Sequence, residues 1–144
     1  MAQTSTRIPI RTRTVRVPHQ AASVPRMRRT IVEDLRGRDV PREVVEEAAM
    51  VVSELLGNSV RHAAPLADGT VRIHWQVKGG VVELDVTDGG GGTVPKPLPP
   101  SVYALFGRGL RIVRSLAHEW GVLDEDRGCT VWACLGGPSR RRRP

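Results

Sequence analysis

Cysteine, aromatics and long apolar runs are all scarce in this chain, and each scarcity removes a class of protein. Only Cys129 and Cys134 occur among 144 residues. They stand an odd number of positions apart, so on one strand they would point to opposite faces. A disulfide between them is therefore not expected. His19, His62, His74 and His118 are scattered, so no clustered Cys/His spacing announces a zinc site either. Free thiols of this kind suit a reducing cytoplasm. No segment approaches the roughly eighteen consecutive apolar residues that a membrane span needs. The opening MAQTSTRIPIRTRTVRVP lacks the apolar stretch of a secretory signal, and a transit peptide is only a minor alternative for it. Aromatic residues make up 3% of the chain and none interleaves with the terminal arginines, which leaves no stacking platform for bases.

What is present is a length suited to one domain with a real core, and a net charge of +7 that is unevenly spread. Residues 1–42 hold ten Arg against three acids, and 140–143 are four Arg. Between them, residues 43–139 hold eight Lys or Arg against twelve Asp or Glu. The positive charge belongs to arms around a mildly acidic body, so direct nucleic-acid binding is not the expected function. The division this suggests is a flexible basic arm over 1–12, a folded domain over 13–136 and a basic tail over 137–144.

Hydrophobic periodicity outlines the domain. Thr14 to Pro18 reads as a short edge strand closed by its proline. Pro25 to Gly37 reads as a helix with Met27, Ile31 and Leu35 on one face. Arg42 to His62 carries the strongest helical stripe, Val44, Val45, Ala48, Val51, Val52, Leu55, Leu56 and Ser59, with Glu43, Glu46 and Glu47 near its positive end. Alternation through Val71–Val77 and Val82–Thr87 around Gly79-Gly80 predicts an antiparallel hairpin. A glycine run and the proline-rich stretch Thr93–Ser101 follow, then a helix after Phe106-Gly-Arg-Gly109 and a final hairpin of Trp120–Leu123 with Thr130–Leu135. Helices on one side of a mixed, mainly antiparallel sheet make an α+β two-layer sandwich.

Three patterns carry possible chemistry. Glu54, Asn58 and His62 form a polar column at four-residue spacing. A solvated helix face would look the same, but an Asn one turn after a Glu could also hold Mg²⁺ while the carboxylate takes a proton. Asp88 leads into four glycines, more than a simple turn requires, which suits a backbone approached closely by a flat ligand. Gly107-Arg108-Gly109 opens a helix, where free amides favour phosphate. It is no P-loop, lacking Gly-Lys-Ser/Thr, and it fits a dinucleotide fingerprint poorly.

In this order the patterns resemble the Bergerat-fold, histidine kinase-like ATPases, and within them the stand-alone anti-sigma-factor serine/threonine kinases. SELLGNSVRHA is similar to the family's Asn box, DGGGG to its first glycine box and GRGL to its second, over residues 22 to 136. The resemblance implies ATP and Mg²⁺ as cofactors, with Asn58 as the metal ligand and Glu54 as the catalytic base. It implies Asp88 as acceptor of the adenine amine, Gly90 and Gly92 as shapers of the pocket, and Gly107, Gly109 and Leu110 as lining the phosphates. Thr130 matches a threonine touching the adenine side; Arg108 reaching the phosphates and His62 bordering the site are our additions. Residues between Thr93 and Phe106 would form the lid over ATP, and their prolines would limit its motion. The implied function is phosphorylation of an antagonist protein by a kinase that also sequesters a sigma factor, in the cytoplasm, with a homodimer open as a further partner. The alternative is a binding module that uses ATP without turnover.

Overall fold

The computed structural model describes residues 11–91, 110–125 and 127–137. In chain order they form β1 (Arg11–Pro18), α1 (Ser23–Arg36), α2 (Arg42–His62), β2 (Thr70–Lys78), β3 (Val81–Asp88), a helix α3 over 110–116, β4 (Glu119–Glu125) and β5 (Gly128–Leu135). The five strands make one sheet in the order β1-β2-β3-β5-β4. Every pairing among the described residues is antiparallel, so the mixed element expected from sequence is absent there.

Strand β1 is the expected edge strand, but it starts at Arg11, inside the stretch assigned to the arm. Arg11 and Thr12 pair with Val77 and Gln76 of β2. Residues 1–10, 92–109 and 138–144, which include the rest of both arms and the lid, lie outside the described residues.

Alternation decides which side of the sheet meets the helices. Val71, Ile73, Trp75 and Val77 of β2, and Val82, Leu84 and Val86 of β3, are buried. They pack against Met27, Ile31 and Leu35 of α1 and against Val51, Val52 and Leu56 of α2. Covering a side chain such as Leu56 contributes about 1.5–3 kcal/mol. Val113 and Ala117 bring the α3 region onto the same core. The intervening positions Arg72, His74, Gln76, Glu83 and Asp85 lie on the other face of the sheet, which carries no described helix.

One charge is drawn into this packing. The indole Nε1 of Trp75 donates to Asp34 at 2.8 Å, Arg38 Nε lies 2.9 Å from the same carboxylate, and Arg13 Nη1 3.2 Å away. Burial alone would push the Asp34 carboxyl up, but the bonds from Trp75 and Arg38, with help from Arg13, outweigh it and hold it below 3.8. Asp34 therefore adds stability above the ordinary carboxylate range, and that stability fades as pH falls through the lowered value. Asp34→Asn is expected to cost about 1–3 kcal/mol in urea unfolding at neutral pH and to flatten the acid limb. An unchanged midpoint would remove this carboxylate from the supports of the fold.

Candidate functional site

The last two turns of α2 and the end of β3 meet in a buried polar cluster. Asn58, Ser59 and Asp88 are 6%, 5% and 7% exposed. Their elements are held together by backbone bonds: Ala64 N–H donates to the Gly90 carbonyl at 2.9 Å, and Gly89 N–H to the Ala64 carbonyl at 2.7 Å. Glycine is required here for close approach, since a Cβ on Gly89 would collide with the Pro65 carbonyl. Gly90 is needed for its backbone, which takes φ +85. Across the sheet, a Cβ on Gly128 would collide with the Asp88 carbonyl.

Both oxygens of Asp88 accept bonds from the protein. Ser59 Oγ donates to Oδ2 at 2.5 Å and Gly90 N–H to Oδ1 at 2.8 Å. Burial raises the Asp88 carboxyl above its usual value, and the Ser59 and Gly90 bonds offset only part of that. The ring Nε2 of His19, in the link between β1 and α1, lies 2.9 Å from the Ser59 carbonyl and 2.8 Å from that of Ala63. Two carbonyl acceptors require this nitrogen to carry its proton, so His19 clamps the end of α2 as a donor. Each carboxylate oxygen keeps further acceptor capacity, enough for a ligand N–H.

Asn58 supplies the second opening for a ligand. Its Oδ1 accepts from Arg61 Nη2 at 3.3 Å, whereas Nδ2 is buried with no partner. An unpaired buried amide end is costly and calls for a polar partner. Either end of the amide can be turned toward it by rotating the group. This oxygen-bearing, uncharged donor fits a hydrated Mg²⁺ with phosphates as its remaining ligands. Glu54 lies one turn earlier on α2 and is half-buried, so it borders Asn58 while remaining open to solvent. His62, one turn later, is also half-buried.

The structure departs from the sequence expectation at Thr130. Register pairs Thr130 with Thr87 and Cys129 with Asp88. Thr130 Oγ1 lies 2.7 Å from Thr87 Oγ1, on the face opposite the helices, so its hydroxyl does not share a side with Asp88. The residue that does is Cys129, half-buried, its thiol pushed up to about 11 by burial and by the neighbouring Asp88 and Asp124 carboxylates. Leu110 packs partly buried against the core. Gly92, Gly107, Arg108 and Gly109 lie outside the described residues. A groove of about 250 Å³ does open among the described residues, but on the opposite face, lined by His74, Asp85, Thr130 and Trp132 among others. Asn58 and Asp88 do not line it.

Sequence reading missed Ser59, His19 and Cys129. Ser59 gave a signal, as the one hydroxyl within a buried apolar stripe. The other two depend on tertiary register and gave none.

Residues 17–135 match the family model described as the histidine kinase-like ATPase domain. No curated protein matches the sequence. Among solved structures, the RsbU and RsbW domains of Rv1364c from Mycobacterium tuberculosis superpose with a TM-score of 0.67 at 18% identity. The match covers 90% of this chain and 34% of that one, so this chain spans about a third of the other's length. That likeness concerns the fold. The family match takes in every described strand and helix from the end of β1 to the end of β5, and on it the chain belongs to the histidine kinase-like ATPase domain family.

Proposed function

We propose that the chain is an ATP-binding regulatory protein acting as a serine/threonine kinase of the anti-sigma-factor type. The observation that carries this reading is the pairing of a buried, ligand-ready Asp88 with the unpartnered amide nitrogen of Asn58 at the junction of α2 and β3. Family membership supports ATP as the ligand. The neighbouring structure, which holds an RsbW domain, supports a protein-regulating role.

In this reading Asp88 accepts the exocyclic amine of adenine, and Ser59 and Gly90 fix the carboxylate in place. Asn58 would hold Mg²⁺, which neutralises phosphate charge when bound. Glu54 accepts the proton of an incoming serine or threonine hydroxyl on a partner protein. That oxygen forms a bond to the γ-phosphorus as the bond to the β-phosphate oxygen breaks, and ADP leaves. Catalysis of this type consists mainly of positioning and charge neutralisation. Gly107, Arg108, Gly109 and the backbone of Leu110 are assigned to the phosphates, Gly90 and Gly92 to the pocket wall, and the cytoplasm to the protein's location. Cys129 takes the place given to Thr130 beside the base.

The test is calorimetric titration of the full chain with ATP, with and without Mg²⁺, followed by incubation with γ-labelled ATP and a candidate antagonist. Mg²⁺-dependent binding with label on the antagonist is the expected result. Binding without transfer would leave an ATP-dependent binding module, and absence of binding would overturn the assignment.

A further inference from the structure

The sequence spacing contains no zinc motif, yet the fold gathers three metal-binding groups at a point remote from Asp88 in sequence and on other elements. His118 lies between α3 and β4, Glu119 opens β4 and Cys134 stands near the end of β5. Glu119 and Cys134 are directly opposed in the ladder, and Glu83 of β3 opposes Cys134 from its other side. The His118 backbone N–H donates to the Cys134 carbonyl at 3.0 Å. Imidazole nitrogen, carboxylate oxygen and thiol sulfur all lie within 4.8 Å of one another. We propose that His118, Glu119 and Cys134 form a Zn²⁺ site that clips the α3–β4 junction to the end of β5.

The donor set decides the metal. Mg²⁺ and Ca²⁺ select oxygen ligands, whereas one imidazole, one thiolate and one carboxylate suit the borderline-soft Zn²⁺, with water completing the tetrahedron. Donor atoms around Zn²⁺ sit on the order of 3.5 Å apart, given bonds of about 2.0–2.3 Å. The observed cluster therefore needs side-chain adjustment and no movement of the sheet. The charge is also right: Cys134 lies between two carboxylates, and among the described residues Glu119 forms no ion pair.

Room has been kept for the ring. A Cβ on Gly137 would collide with the His118 imidazole, so glycine there lets the ring lie against the backbone. The Gly137 N–H donates to His118 Nδ1 over a long 3.2 Å. Coordination through either nitrogen releases that bond. Through Nδ1 the lone pair is taken by the metal; through Nε2 the proton must move to Nδ1. Metal binding thus frees the Gly137 amide, three residues before the run Arg140–Arg143.

The experiment is Zn²⁺ titration of the full, reduced chain by calorimetry, in nucleotide-free buffer, with Co²⁺ titration read by its thiolate-to-metal absorption. One Zn²⁺ per chain is expected, with affinity falling at least ~10-fold in His118→Gln and in Cys134→Ser but holding in His74→Gln. Absence of stoichiometric binding, or affinity unchanged from the parent in either ligand variant, would overturn the site. Should Cys134→Ser not fold, the native chain decides. Zn²⁺ must slow alkylation of Cys134 while Cys129 reacts at its original rate, and equal Cys134 rates with and without metal would overturn the proposal.

Discussion

Asp88→Asn is expected to weaken ATP binding at least ~100-fold, equivalent to roughly 3 kcal/mol, while the protein stays folded. The two halves of this expectation have separate causes. An amide replaces one carboxylate oxygen with a donor, which faces the adenine amine or Ser59 and Gly90 with the wrong polarity. Folding, by contrast, loses little when the charge goes, because burial already disfavours the ionised form of Asp88. The sign follows from linkage. A carboxyl raised in the folded state contributes stability below its unfolded value of about 3.9, and that contribution is lost as pH rises through the folded value. Ligand binding runs the other way, since the adenine amine prefers the ionised acceptor. ATP affinity should therefore fall on acidification at a pH above the ordinary carboxylate range, and this limb should vanish in Asp88→Asn. Calorimetry across the acid range, beside urea unfolding, checks both. Unchanged affinity in a folded variant would separate Asp88 from nucleotide.

Glu54→Gln is expected to lower phosphotransfer by about 10²–10⁴-fold, the range for loss of a general base, and to leave the Kd for ATP within a few-fold of the parent. Glutamine keeps the shape of the side chain and removes its basicity. Glu54 is half-buried one turn before Asn58, close enough in the helix to share the site. Labelled-phosphate transfer and calorimetry on the same preparation give the two numbers. Parallel loss of transfer and binding would take Glu54 out of proton transfer and make it part of the binding surface.

Much of the frame was readable from residues alone, for physical reasons that also mark where reading stops. Helix α2 has the predicted bounds, Arg42–His62, because a long apolar stripe ends at Ala-Ala-Pro. The β2–β3 hairpin is equally plain from its alternation. Strand β1 begins earlier than Thr14 because Arg11 to Arg13 pair with β2; these residues have no apolar alternation, so local composition does not report the extension. Helix α1 starts at Ser23, two residues before Pro25, since a proline is tolerated in a first turn whose N–H groups have no helical partner. The spacing of the Asn58 and Asp88 motifs can be read from residues alone. That Cys129, and not Thr130, shares a face with Asp88 cannot, because a strand's two faces differ by one residue and only the Asp88–Cys129 pairing fixes the parity.

The place of β5 in the sheet has a consequence for synthesis. The last described strand in sequence is not at an edge; it is inserted between β3 and β4. Until Gly128–Leu135 leave the ribosome, Val82–Asp88 carry an open row of amides and carbonyls on the side that β5 will occupy, and Asp88 lacks its neighbour Cys129. A chain that has not yet released β5 leaves the interior strand β3 unpaired on one side, the kind of surface that chaperones shield and that promotes aggregation. Completion of the sheet, and of the wall beside Asp88, waits for β5.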